Sequence, residues 1–366
     1  MFVGDPRSLY AQALMENRST LSGNYNLNVP VMTADWGAVV VRIPHPNVDA
    51  RDLRIWPEHQ TLAVLGRSLP RLPRLLYHSD RPRFQVQEFV AGTVLDDLAP
   101  RGVPVPAYVI GDVVDLMARL CRIAEDQIPA PLEGWPRSTA AFGRLLSAAT
   151  SHMATTVRAS AYAELYDRLG MPAAPLAALD GLWSGLTARR LVPTHCDLHR
   201  KNMIVREGRT YFLDWELCLL HGDPVHDLAI HLTKMGYRAD EEEALRRRWA
   251  AALPADCSAG WSRDLPVYQA HEHVKAAIVE SVRYTKRIAA GGLSAADRAA
   301  TITSMTRKLN AAHEVWATRT RLRNEDVEEA VTAVLASPPP SIAAWTPVSR
   351  RASGPRRPAT GGGRSP

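Results

Sequence analysis

The stretch Thr194-His195-Cys196-Asp197-Leu198-His199-Arg200-Lys201-Asn202-Met203-Ile204-Val205-Arg206-Glu207-Gly208-Arg209-Thr210-Tyr211-Phe212-Leu213-Asp214 decides how the rest of the chain is read. Two short β-prone runs, 203–205 and 210–213, flank Glu207-Gly208, a two-residue hairpin signal. Outward from this hairpin the sequence changes character on either side. Helix-period patterns run over 107–125 and 159–190 before it, and over 240–253, 271–289, 294–321 and 324–336 after it. Upstream of Gly92 the pattern is strand-rich. The segment 21–29 alternates around a Gly23-Asn24 turn, 37–43 is a β-branched run closed by Pro44 and Pro46, and 84–90 alternates again. One helix, 58–67, interrupts these strands, with Pro57 at its first turn. The expectation is an α+β, two-lobed chain. A β-rich lobe spans 1–92, a larger mostly helical lobe spans 93–336, and a Pro-, Gly-, Ser- and Arg-rich tail at 337–366 has the composition of disorder.

Around the hairpin, Asp197, Asn202 and Asp214 are three hard-oxygen side chains in a fixed order. Phosphoryl transfer needs a hydroxyl aimed at the phosphorus and charge neutralised on the phosphate oxygens. Asp197, on a loop entering the hairpin, is placed to accept a hydroxyl proton. Asn202 and Asp214 sit at neighbouring strand ends, ~4.8 Å apart in a paired ladder, and can share one magnesium ion. The blander reading makes these residues turn caps and a surface carboxylate. A rival reading joins Cys196-x2-His199 to Cys218-x2-His221 as a zinc-ribbon-like quartet, which competes for the same loop.

Three motifs carry a resemblance. His195-x-Asp197-x4-Asn202, Leu213-Asp214-Trp215-Glu216 and Gly222-Asp223-Pro224-x2-Asp227-Leu228-Ala229 are similar to those of the aminoglycoside phosphotransferase and choline kinase-like family, small-molecule relatives of protein kinases. The resemblance implies a bilobal kinase-like fold, with Asp197 as catalytic base and Asn202 and Asp214 as magnesium ligands. It implies that Asp227 steadies the catalytic loop. In the first lobe, Ser22, Gly23 and Asn24 fall where the family has its nucleotide-covering loop. Arg42 falls where a phosphate-binding Lys is common, and Glu58 where that cation's partner is expected; an ordinary surface ion pair is the alternative for Arg42–Glu58. The backbone of Gln87, Glu88, Phe89 and Val90 resembles the hinge that pairs with the nucleotide base.

The expected reaction is therefore ATP- and Mg2+-dependent transfer, with GTP as the other nucleotide, to a hydroxyl of a small molecule. An antibiotic is the first candidate, giving resistance. A metabolic choline, homoserine or sugar kinase is the second, and a regulatory pseudokinase the third. Composition narrows the partners. The net charge is +6, but 337–366 holds five arginines and no acid, so the body is near neutral and is not read as nucleic-acid-binding. Four scattered cysteines, no N-terminal leader pattern and no apolar run of membrane length give a cytoplasmic, membrane-free expectation. The acidic run 240–243 reads as a charged helix start, with Asp240 and Glu243 at capping-box-like spacing and Glu242–Arg246 and Glu243–Arg247 pairs. His271, Glu272, His273 and Arg283 lie on a helix that faces either the cleft or solvent.

Overall fold

The structure, a computed structural model, describes residues 6–15, 26–45, 53–318 and 321–336. Ser22, Gly23 and Asn24, the expected turn among them and the 337–366 tail lie outside the described residues.

The chain opens with α1 (Pro6–Met15), β1 (Asn26–Thr33), β2 (Gly37–Pro44), α2 (Glu58–Leu65), β3 (Leu75–Asp80) and β4 (Arg83–Glu88). The strands pair antiparallel in the order β1-β2-β4-β3. Alternation sets the buried face: Val39, Val41 and Ile43 of β2 meet Val29 and Val31 of β1 and Phe84 and Val86 of β4. Leu9 and Ala13 of α1 join the same cluster. The β1–β2 turn closes at 33–37, where Gly37 adopts φ +66° and Trp36 N–H donates to Thr33 Oγ1 at 3.0 Å. The side chains of α2 belong elsewhere. Leu62 and Leu65 pack in the core of the second lobe, so this helix bridges the lobes.

The second lobe runs through β5 (Thr93–Val94), α3 (Leu95–Leu98), α4 (Ala107–Arg122), α5 (Thr139–Arg158), α6 (Ala163–Arg168), β6 (Val192–Thr194), β7 (Met203–Arg206), β8 (Arg209–Phe212) and β9 (Leu219–Gly222). Then follow α7 (Pro224–Met235), α8 (Ala239–Ala252), α9 (Ala255–Ser258), α10 (Trp261–Ala289), α11 (Ala295–Val315) and α12 (Asn324–Ala336). The β7–β8 hairpin turns at Glu207 and Gly208, both at positive φ (52° and 71°), as a tight hairpin requires. β5 extends it to three strands, and β6 pairs separately with β9. A small β-rich lobe followed by a mostly helical one is the α+β, kinase-like arrangement.

Three expectations need correction. The helix expected over 159–190 is not there: α5 ends at Arg158, and the segment beyond holds only α6 and two 3-10 turns. Pro172 and Pro175 deny the chain helix donors, and Gly170 turns at φ +67°. The helix formed instead, α5, starts at Ser138, whose hydroxyl accepts from Ala141 N–H. α10 begins ten residues before the expected His271, carrying Pro266 in its second turn. At α8 the capping acid is Glu241, not Glu243: its carboxylate accepts from Arg238 N–H (2.9 Å) and, buried, from Val105 N–H (2.7 Å). The Glu242–Arg246 and Glu243–Arg247 pairs do form.

Candidate active site

The loop 195–202 hangs on α7. Asp223 caps that helix, accepting from Val225 N–H at 2.8 Å, and Pro224 fills its first turn. One turn in, buried Asp227 spreads its carboxylate over two loop amides: Oδ2 accepts from His195 N–H (3.1 Å) and Oδ1 from Cys196 N–H (2.8 Å). That grip holds Cys196 at φ +60°, which turns the chain so that Asp197 follows. At the far end of α7, Arg200 donates to Met235 O (2.8 Å) and, across the loop, to Val103 O (2.9 Å). The loop is thus pinned along the whole helix. His195 is fully buried. Its Nδ1 can only accept from Asp197 N–H (3.3 Å), so Nε2 carries the hydrogen and donates to Leu213 O (3.0 Å). Burial keeps this imidazole neutral by lowering its pKa.

Asp197 emerges with both carboxylate oxygens engaged. Asn202 Nδ2 donates to Oδ2 (3.1 Å) and to Asp197 O (2.9 Å). Lys234 Nζ lies 2.5 Å from Oδ1, and His199 Nε2 lies 3.5 Å from it. Burial opposes the charge, but Lys234 and His199 prevail and hold Asp197 well below the usual carboxylate range. Leu213 N–H donates to Asn202 O (2.8 Å), which ties the two strand ends together and sets Asp214 beside Asn202. Asp214 itself adopts φ +63°. With its amide spent on Asp197, the Asn202 side-chain oxygen keeps its lone pairs: among the described residues nothing donates to it. That oxygen and the partly exposed Asp214 carboxylate are hard donors that fit magnesium.

The first lobe reaches this point through Arg42. Its guanidinium pairs with Glu58 (3.1 Å) and Asp214 (2.6 Å), and stands 3.7 Å from Glu216. Arg42 and Glu58 are both 7% exposed, so the alternative of a surface pair falls. Glu58 also accepts Trp215 N–H (3.0 Å) and the Gln85 side-chain amide. Glu216, which the sequence reading left without a role, gathers Asn26 Nδ2 (2.6 Å) and Arg54 (3.2 Å). Burial, followed by the neighbouring Asp214, pushes Glu216 up to about 8. These charges balance one another across the cleft between the lobes.

The backbone donors of the expected hinge differ from one another. Gln87 is buried in β4, and the N–H groups of Glu88 and Phe89 are spent on Arg74 O (2.9 Å) and Ala38 O (3.2 Å). Val90, one residue on, has an N–H without a partner among the described residues. The zinc quartet does not assemble. His221 Nε2 bonds Pro129 O (2.8 Å), His199 turns to Asp197, and Cys196 Sγ lies against Thr194 Oγ1 (3.3 Å). Cys196 and Cys218 are buried free thiols that burial pushes upward. His271 and Glu272 face neither cleft nor solvent. Both are buried, with Glu272 within 3.4 Å of His226 on α7 and 3.2 Å of His271. Lys234 was missed because nothing in its local spacing marks it; Glu216 lay inside a quoted motif but drew no role, because its partners Asn26 and Arg54 are remote in sequence. A further omission is Arg189, fully buried between Asp223 (2.8 Å) and Asp264 (2.6 Å), which anchors the N-terminus of α7 to α10.

Comparison with known proteins bears on the family and the fold. A family model described as "Phosphotransferase enzyme family" matches residues 18–271. No curated protein sequence matches the chain. Among solved structures, a choline/ethanolamine kinase family protein from Mesorhizobium loti is 14% identical, with a TM-score of 0.52 over 87% of this chain and 92% of that one. Plasmodium vivax ethanolamine kinase is 13% identical (TM-score 0.53; 86% and 80%). The phosphotransferase of a gentamicin-APH(2")-IIa complex is 13% identical (TM-score 0.52; 89% and 99%). At these identities the likeness is one of fold.

Proposed function

This chain belongs to the phosphotransferase enzyme family, and we propose that it moves the γ-phosphoryl group of ATP to a hydroxyl of a small polar molecule. The observation that carries the reading is the bonded unit Asp197–Asn202–Leu213, which puts the hydroxyl-orienting carboxylate and the two hard-oxygen donors, Asn202 and Asp214, at one point. Asn202 and Asp214 would hold a magnesium ion, which when bound neutralises charge on the nucleotide phosphates. Arg42 Nη1 takes no partner among the described residues, so Arg42 can reach a phosphate while still pairing with Glu58. Val90 N–H is the donor offered to the nucleotide base. GTP is the alternative nucleotide.

The acceptor O–H donates to Asp197, and its oxygen attacks phosphorus. The bond from phosphorus to the nucleotide's bridging oxygen breaks, and its electron pair leaves with the diphosphate. A carboxylate held so far below its ordinary range is a weak base. Asp197 therefore orients the hydroxyl and takes up its proton late, as the new oxygen–phosphorus bond forms, in keeping with a loose transition state. For the acceptor, we favour a hydroxylated antibiotic, as in the gentamicin complex among the neighbours; a metabolite such as ethanolamine or choline is the second candidate. No described helix is long and apolar enough to cross a membrane.

The test is nucleotide consumption against a panel of antibiotics and hydroxylated metabolites, with product mass measured. A phosphorylated product is expected from the wild-type chain and none from Asp197→Ala, while that variant still binds MgATP by calorimetry. Near-normal turnover in Asp197→Ala would defeat the assignment.

A further inference from the structure

Between α7 and α10 lie three buried side chains whose polar atoms are not satisfied by one another. His226 sits on α7 immediately before Asp227, the residue that grips the catalytic loop, and is 3% exposed. His271 and Glu272 come from α10 and are buried as well. The atoms of the three that could hold a metal ion all lie within 4.8 Å of one another. Among the described residues, neither nitrogen of His226 has a hydrogen-bond partner of ordinary geometry. Its Nε2 comes 3.4 Å from Glu272 Oε1, and the same oxygen stands 3.2 Å from His271 Nδ1. A buried imidazole in this condition gives up the water it has in the unfolded chain, and protein interiors seldom leave one so. Ser147, one turn before Thr150 on the same face of α5, likewise has a buried hydroxyl without a partner among the described residues.

The spacing fits coordination better than hydrogen bonding. A charge-assisted N–H···O bond is about 2.7–2.9 Å long. Two ligand atoms each about 2.0–2.1 Å from a tetrahedral zinc ion stand about 3.3 Å from each other. Glu272 Oε1 stands at that separation from both rings. The second ring is also oriented for the task. His271 Nε2 meets Thr150 Oγ1 at 3.0 Å, which fixes the imidazole and turns Nδ1 towards Glu272. A partner on the far nitrogen is the usual support of a ligating histidine. Two imidazoles and a carboxylate suit zinc, whereas magnesium takes oxygen. Lys275 adds positive charge near Glu272, which weakens such a site without removing a donor.

We propose that His226, His271 and Glu272 form a zinc-binding site. It is separate from the magnesium donors Asn202 and Asp214, and shares no residue with the Cys196–His199 and Cys218–His221 quartet. Its role is structural, and no step of phosphoryl transfer passes through it. The ion would fasten α10 to α7 at the residue next to Asp227. Nearer the starts of the two helices, Arg189 already joins them through Asp223 and Asp264.

The test is zinc binding to the whole chain, first stripped with a chelator, in excess Mg2+ so that zinc does not collect at Asn202 and Asp214. Wild type is expected to hold about one Zn2+ per chain by mass spectrometry, and Zn2+ at about a hundred times its Kd should raise Tm by about 4 °C. Asp214→Ala should keep the ion. His226→Gln and Glu272→Gln should each weaken binding by more than about a hundredfold, and Thr150→Val by about tenfold, the scale for losing a residue that orients a ligand. Co2+ in place of Zn2+ gives a reading on the wild-type chain that depends on no variant's folding. The visible absorption of a low-coordinate nitrogen and oxygen site is expected, without the near-ultraviolet band of a thiolate ligand. A wild-type chain that takes up no zinc, or loses it all in Asp214→Ala, overturns the proposal. So does a thiolate band, or a zinc affinity unchanged in folded Glu272→Gln.

Discussion

Replacing Arg42 with Met is the most searching test of the charge balance between the lobes. Arg42 is the shared cation of three carboxylates, Glu58, Asp214 and Glu216, at 3.1, 2.6 and 3.7 Å. Its own pKa lies above the usual value: burial works against the charge, but the three acids outweigh it. Removing one partner of a buried pair costs about 3–5 kcal/mol, because the other charge stays buried and uncompensated. Two features pull the figure to the lower end. Asp214 keeps 27% of its side chain in solvent, and Arg54 still reaches Glu216 at 3.2 Å. About 3 kcal/mol is expected, or roughly 4 °C in Tm for a chain of this size. The loss should grow with pH. Glu216 already sits at about 8 and Glu58 is already raised by burial, and without Arg42 both shift further upward. An acid whose native pKa exceeds its unfolded value binds more protons when folded, so stability drains away as pH rises between the two. The Tm gap between wild type and Arg42→Met should be small near pH 5.5 and widest above pH 8, read by circular dichroism melts without added metal. A gap under about 2 °C throughout, or one that narrows as pH rises, would refute the shared-cation account.

Other outcomes test neighbouring pieces. Asp214→Ala should abolish magnesium-dependent nucleotide binding; an unchanged MgATP Kd by calorimetry contradicts this. Asp227→Ala strands two buried loop amides that a charged acceptor now satisfies, and should cost about 3 kcal/mol in denaturant melts. A loss below ~1 kcal/mol would mean the loop holds its shape without α7. At Gly222 an added methyl would sit 2.2 Å from Thr194 Oγ1, so Gly222→Ala should cost about 1–3 kcal/mol. Thr194→Ala in the same chain should recover most of that loss, and strict additivity of the two changes would rule the clash out.

Much of the architecture was legible because it rests on short-range chemistry. Glu207-Gly208 specifies its hairpin through two positive-φ residues, and α12 runs over the residues its periodicity marks. The failures are equally physical. Over 159–190 the apolar spacing suited a helix, but Pro172, Pro175 and Gly170 stop one from propagating. At 240–243 all four acids suit a helix start, and only the packing of Glu241 against Val105 N–H chooses among them.

By itself, then, the sequence determined the order of lobes, the hairpin and the trio Asp197, Asn202 and Asp214, all of which are written in spacings of a few residues. Tertiary structure alone decided which charges meet. Lys234 joins Asp197 across 37 residues, Arg42 joins Asp214 across 172, and Asn26 joins Glu216 across 190. An ion pair leaves no periodic trace in the chain, because its energy depends on distance and burial in space, and these exist only once the helices have packed.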